Sequence, residues 1–264
     1  MINIDFLIKD LELVRKQSPL IHNITNLVVM NNTANALLAI GASPVMAHAL
    51  DEVADMTKIA SALVLNIGTL DVELIKAMER SGKMANQMNI PIIFDPVGAG
   101  ATPFRDKCCK RLINECKPTI IRGNASEILA LQNTQVQTKG VDSTDASVDA
   151  LDAAKKLAKE IKSTVVISGD IDFITDGEKV AKVKNGNPMM EKVTGMGCTS
   201  TAIIACFAAI NPNPFLASLH GMAVMGIAGE IAAENSKGTG SLQLNFLDEL
   251  YQLTSTTLKK HIKL

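Results

Sequence analysis

The chain has 264 residues, which suits one large α/β domain or two small ones and can bury a large core. Apolar residues make up 47% and charged residues 20%, with a formal net charge of −1, so no global field favours nucleic acid or an anionic membrane. Aromatic residues are scarce (no Trp, one Tyr, seven Phe), which argues against a base-stacking platform for single strands.

The opening segment, residues 1–16, mixes Asp5, Lys9, Asp10, Glu12 and Arg15 with apolar residues and reads as an amphipathic helix, not a signal peptide. Near-continuous apolar runs at residues 62–66, 90–94, 119–121 and 164–167 read as strands buried on both faces. Helical patterns at residues 31–40, 72–88, 105–116, 126–132 and 148–161 separate them. Such alternation predicts a mainly parallel sheet covered by helices through right-handed crossovers. Next, residues 173–175 and 179–183 flank Asp176-Gly177 and predict a β-hairpin. Three helices follow at residues 198–209, 215–234 and 244–260, the first two punctuated by Pro212 and Pro214. With no Pro/Gly/Ser linker, low-complexity tract or internal repeat, the expectation is a single α/β domain over residues 1–264. The apolar stretches are interrupted before a membrane span is complete, so cytoplasm is the expected location.

Five cysteines are present, Cys108, Cys109, Cys116, Cys198 and Cys206. An odd count with no secretory signal predicts reduced thiols, and the first three lack a fourth ligand for a zinc site.

Five short motifs carry the chemistry. In Val193-Thr194-Gly195-Met196-Gly197-Cys198-Thr199-Ser200-Thr201-Ala202, two glycines open a long apolar helix. Glycine lets a ligand approach the backbone, and a helix N-terminus favours an anion. This is a candidate phosphate cradle with Cys198 at its centre, where the thiol is expected to have a lowered pKa. Read plainly, it is a glycine turn before a core helix. Asp95, in Phe94-Asp95-Pro96-Val97-Gly98-Ala99-Gly100, falls where a buried strand ends, the place where ligands of open α/β sheets bind. It could serve Mg²⁺ or organise the Pro-Gly turn. Arg122-Gly123-Asn124-Ala125-Ser126-Glu127 also follows a strand. Arg122 offers a donor fork to a phosphate, while Asn124 and Glu127 fit a capping box. Ser168-Gly169 ends another strand and suits contact with nucleotide phosphate, or a turn into Phe173. Ile21-His22-Asn23-Ile24-Thr25-Asn26 gathers amides and a hydroxyl at a helix start, where Thr25 or Asn26 could cap. His22 reads as structural. Together the set suits phosphoryl transfer, but there is no P-loop and no protein-kinase motif set.

The order Asp95 to Gly100, Arg122 to Glu127 and Gly195 to Cys198, with Ile21 to Asn26 and Gly41-Ala42-Ser43-Pro44-Val45-Met46, resembles the hydroxyethylthiazole kinases of thiamine salvage. The likeness runs from about residue 20 to 250. The wider ribokinase-like superfamily usually has Asp where this chain has Cys198, and the Cys points to the thiazole kinases within it. The resemblance implies a ribokinase-like three-layer α/β/α fold with a mainly parallel central sheet. It also implies ATP-dependent phosphorylation of the alcohol of 4-methyl-5-(2-hydroxyethyl)thiazole, Mg²⁺, and a homotrimer with sites near subunit boundaries. By motif match, Arg122 and Ser168 contact ATP; Met46 and Gly195 contact the thiazole, with Asn26 lining that pocket. Asp95 and Glu127 serve the metal, and Cys198 takes the catalytic position. The family often has Thr where Ser168 stands; the hydroxyl is kept. Rival readings are another ribokinase-like enzyme such as a hydroxymethylpyrimidine kinase, a cysteine acyl-transfer enzyme built on Cys198, and a nucleotide-binding regulator without turnover. The acyl-transfer reading needs a base beside the thiol, and none of His22, His48, His220 and His261 sits in a recognisable partner motif.

Overall fold

A computed structural model describes residues 3–135 and 146–263. The first helix, α1 (Ile4–Gln17), is capped by Asn3 and buries Leu7, Leu11 and Val14 on one stripe. The sheet follows from alternating strands and helices: β1 (Leu20–Ile24), α2 (Met30–Ile40), β2 (Ser43–Val45), α3 (Val53–Ile59), β3 (Ala62–Asn66), α4 (Val72–Met88), β4 (Ile92–Asp95), α5 (Pro103–Cys116), β5 (Ile120–Asn124), α6 (Ala125–Gln135), α7 (Ala146–Ile161) and β6 (Thr164–Ser168). Next come the hairpin strands β7 (Asp172–Thr175) and β8 (Val180–Val183), a 3₁₀ turn (Pro188–Lys192), and the helices α8 (Met196–Ala208), α9 (Pro214–Glu234), α10 (Thr239–Gln252) and α11 (Ser255–His261).

The eight strands lie in the order β2-β1-β3-β4-β5-β6-β7-β8. All pairings from β2 to β6 are parallel, and the two that add β7 and β8 are antiparallel. Successive residues of each inner strand face opposite cores, as the pleat requires. Ala62, Val64, Ile93, Ile120 and Val166 join one core, with side chains of α1, α2, α8, α9 and α10. Leu63, Leu65, Ile92, Phe94, Ile121 and Val165 join the other, with side chains of α3 to α7. The fold is therefore the expected three-layer α/β/α arrangement.

The four sequence-predicted inner strands and the hairpin are all present. Three elements were not expected. β1 occupies the segment expected to be a polar helix start, where His22 and Asn23 interrupt the apolar run; in the structure both are buried inside the sheet. β2 has only three residues and lies at the edge, and α3 spans seven. The helix expected over 244–260 is two helices, parted at Leu253, with Thr254 capping the second. Neither Thr25 nor Asn26 caps α2; its first turn follows Val29 with no side-chain cap. One described helix, α9, is long and apolar enough to cross a membrane, and most of it is buried in the first core.

α8 and α9 cross closely because Gly221 leaves room: a Cβ there would sit 2.8 Å from the Ile204 Cα. Backbone cannot rotate away as a side chain can. Gly221→Val should therefore destabilise the protein by about 1–3 kcal/mol through overpacking, seen as a lower Tm by calorimetry.

Candidate active site

The parallel strands end together on one edge, and the functional candidates gather there around the first turn of α8. In register, Asn66 at the end of β3 lies beside Asp95 at the end of β4. Asn124 and Ser168 are likewise paired at the ends of β5 and β6. Gly195, at φ +90°, turns the chain into α8; a Cβ there would be 2.7 Å from the Val29 side chain, so glycine is required twice over.

One polar chain runs along this edge. The Asp95 carboxylate, wholly buried, accepts at Oδ2 from Asn66 Nδ2 and Thr201 Oγ1, both at 2.8 Å. The Asn66 carbonyl oxygen accepts from the Gly68 N–H and from Asn26 Nδ2, each at 2.9 Å. Asn26 Nδ2 also donates to Cys198 Sγ at 3.3 Å. Asp95 Oδ1 has no partner. Burial pushes the Asp95 carboxyl up to about 6, against the pull of Arg122, Thr201 and Asn66.

A second cluster forms around β5. Arg122 donates from Nη2 to Ser168 Oγ at 2.5 Å, and its buried Nε has no partner. The guanidinium lies against Gly197, where a Cβ would be 2.7 Å from Nη1. Arg122 and Ser168 open onto a cavity of about 470 Å³, whose walls include Asp172, Asn185, Met190 and Met225. Asp172 accepts the Gly169 N–H at 3.1 Å, and burial pushes its carboxyl up to about 7. Glu127 completes the expected capping box: Asn124 Oδ1 accepts from the Glu127 N–H at 2.9 Å, and Glu127 Oε2 from the Asn124 N–H at 2.8 Å. Its other oxygen accepts the Gly98 N–H at 2.9 Å, so the β4–α5 loop is tied to α6.

The first two turns of α8 join the clusters: Gly197 touches Arg122, Cys198 touches Asn26, and Thr201 touches Asp95. Met46 lies just beyond the edge strand β2, on a loop fixed by His22 Nε2 and the Ala47 carbonyl at 2.8 Å. His22 is thus structural, as its sequence context suggested. No described histidine hydrogen-bonds to Cys198; His220 is committed to Asp10 at 2.7 Å. That removes the base that an acyl-transfer reading needs.

The expectation of a lowered Cys198 pKa is corrected. Burial and then the nearby Asp95 charge push the thiol up to about 11, outweighing the donors Asn66 and Asn26. A helix N-terminus lowers a thiol pKa only where the surroundings as a whole favour the thiolate, and here burial and the Asp95 charge outweigh the pull of Arg122 as well. Cys108, Cys109, Cys116 and Cys206 are buried free thiols.

The sequence reading missed Asn66, Thr201 and Asp172. Asn66 was detectable in principle: it ends a buried strand at the level of Asp95. Thr201 lies within the glycine motif but, like Asp172, carried no signal of its own that set it apart from core and turn residues.

The chain matches the Hydroxyethylthiazole kinase family over residues 11–256. The chain belongs to this family. The hydroxyethylthiazole kinase of Leptospira biflexa serovar Patoc is 52% identical over 255 residues, covering 97% of this chain and 96% of that protein. The solved structure of the hydroxyethylthiazole kinase protein from Pyrococcus horikoshii OT3 superposes with a TM-score of 0.92 at 38% identity, covering 98% of each chain. A ribokinase-like superfamily protein from Enterococcus faecalis V583, 13% identical, covers 99% of this chain and 95% of its own at a TM-score of 0.67, which places the fold in that class. As a member of the hydroxyethylthiazole kinases, the chain is a phosphotransferase of thiamine salvage with an alcohol as acceptor, and the hydroxymethylpyrimidine alternative is set aside.

The buried Asp95 charge has a measurable cost. The folded state holds the Asp95 proton more tightly than the unfolded chain, so stability falls as pH rises from the ordinary carboxylate range through about 6. In metal-free buffer, Asp95→Asn should raise Tm above about pH 7 and change it little below about pH 4, read by differential scanning fluorimetry.

Proposed function

We propose that the two clusters divide the reaction between them: Arg122 and Ser168 hold ATP, and Asn26, Gly195 and Met46 hold 4-methyl-5-(2-hydroxyethyl)thiazole, with Cys198 at the reacting hydroxyl. The carrying observation is the pair of orphan atoms on either side of the α8 N-terminus, a buried carboxylate oxygen on Asp95 and a buried guanidinium N–H on Arg122. One asks for a cation and the other for an anion, which a metal-bound phosphate provides together. Among the described residues no group of three or more His, Cys, Asp or Glu could hold a metal. Two carboxylates, Asp95 and Glu127, suit Mg²⁺, which keeps waters and borrows phosphate oxygens. When bound, it would neutralise charge on the phosphoryl oxygens.

The chain's own residues then position and stabilise. Arg122 and the free N–H groups opening α8 face developing phosphoryl charge. Asn26 orients the thiol, and the substrate hydroxyl is held beside it. Because Cys198 keeps its own proton near neutral pH, the sulfur can only accept a weak hydrogen bond from the hydroxyl. A loose transition state asks no more of it until late.

We further assign the whole of residues 1–264 to one kinase domain, working in the cytoplasm as a homotrimer. Support for assembly lies at the β2 edge: Leu27, Val28, Leu38 and Ile59 are exposed on segments flanking β1 and β2. Light scattering at the mass of three chains is the expected result.

The reading is tested by ADP release with ATP, Mg²⁺ and a panel of thiazole and pyrimidine alcohols. Turnover should depend on the thiazole alcohol and vanish with a strong chelator. Arg122→Ala should raise the KM for ATP by roughly ten- to a hundred-fold, the equivalent of about 1.5–3 kcal/mol for hydrogen bonds to a charged group, with little change for the thiazole. Equal changes in both KM values would mark Arg122 as structural. For Cys198, kcat at saturating substrates should fall by less than the roughly 10²-fold typical of general-base loss in Cys198→Ala, whereas Cys198→Asp, which offers a true proton acceptor, should stay active. An inactive but folded Cys198→Asp counts against any acceptor role at this position.

A further inference from the structure

α5 carries a residue that its position disfavours. Thr102 caps the helix by accepting the Arg105 N–H at 3.3 Å, and Pro103 opens it. Arg105 therefore stands in the first turn, where the helix dipole repels a cation. Its guanidinium instead turns back over the carboxyl edge of the sheet. Nη1 donates to the carbonyls of Ile67 at 2.7 Å and Val97 at 2.6 Å, and Nη2 to that of Gly68 at 3.0 Å. Ile67 and Gly68 follow β3, and Val97 follows β4. One planar fork thus bridges two loops.

Both loops lead into the site. The Gly68 N–H holds Asn66 Oδ1, and a Cβ on Gly68 would lie 2.7 Å from Asn26 Nδ2, so the Asn26 amide rests on that glycine. On the other loop, the Gly98 N–H holds Glu127, and a Cβ on Gly98 would meet the Arg105 guanidinium at 3.3 Å. The neighbouring Asp106 accepts the Gly100 N–H at 2.7 Å and fixes the rest of that loop. The cavity beside Arg122 and Ser168 is lined by other segments and does not include Arg105.

We infer that Arg105 is a positioning residue for phosphoryl transfer, clamping the β3–α4 loop to the β4–α5 loop and so setting Asn26 and Asn66 against Asp95 and Glu127. The inference rests on the roles given above to Asn26, Asp95 and Glu127. Lysine presents a point charge on a flexible stem and cannot bridge the three carbonyls from one plane. Small displacements of reacting groups are costly, so Arg105→Lys should lower kcat and raise the KM for the thiazole alcohol, each by roughly tenfold, with the KM for ATP within about twofold of wild type. In Arg105→Ala, guanidinium ion at sub-denaturing concentration should restore part of the lost kcat, and methylammonium should not.

The result that overturns the inference is a fall in kcat that tracks the folded fraction by circular dichroism with both KM values unchanged, or an equal rise in both KM values. If the Arg105→Ala variant does not fold, the kinetics of Arg105→Lys decide. Asn26→Ala and Asp95→Asn run in the same assay separate the two levels. If they are impaired and Arg105→Lys is not, the clamp alone fails. If they match wild type, the site assignment fails and carries the clamp with it.

Discussion

The contact between the first turn of α8 and the carboxyl ends of β3, β4 and β5 is the constraint on which the site depends. Gly195 supplies a left-handed turn, and Gly197 supplies the absence of a side chain where Arg122 must lie. Cys198 and Thr201 then face the strand ends, so that Asn26 and Asp95 are held by a helix belonging to a distant part of the sequence. The parallel register does the rest, because it brings Asn66 level with Asp95 and Asn124 level with Ser168. A shift of one residue in any of these strands would turn the polar ends towards the cores.

The same arrangement stores electrostatic cost in the resting protein. Asp95 is fully buried with one oxygen unpartnered, and Arg122 has a buried nitrogen in the same condition. Leaving such atoms unpaired is expensive, and sites accept the expense when the missing partner arrives with a ligand. The thiol between them stays protonated for a related reason: an environment dry enough to strengthen contacts with phosphate is too dry to support a free thiolate beside a carboxylate.

Much of the fold was legible because the inner strands are apolar on both faces and the helices have the matching period. β1 was hidden by His22 and Asn23, which are buried in the sheet and satisfied there: His22 by Thr57 and Ala47, and the Asn23 amide nitrogen by the Ile21 carbonyl. No local pattern announces that two polar side chains will find partners inside a core. In the site, Asp95, Arg122, Glu127 and Cys198 stood out through turn and glycine context, and the structure brings them to one edge. Asn66 and Thr201 did not, because their importance lies in whom they meet across the register or across a helix, which is a property of the assembled sheet. The protonation state of Cys198 failed for the same reason, since helix position is local and burial is not.

The division of the two cores has a consequence for synthesis. Helices α3 to α7, which cover one face of the sheet, leave the ribosome interleaved with their strands. The opposite face has α1 and α2 from the start, but the rest of its cover, α8, α9 and α10, comes after every strand. A nascent chain that has just completed β8 therefore presents a nearly finished sheet whose Val64, Ile93, Ile120 and Val166 still lack the cover of α8, α9 and α10. Such an intermediate is a natural client for a chaperone and a natural seed for aggregation. The helix that closes this face is also the one that completes the site, so binding competence arrives only with the final layer.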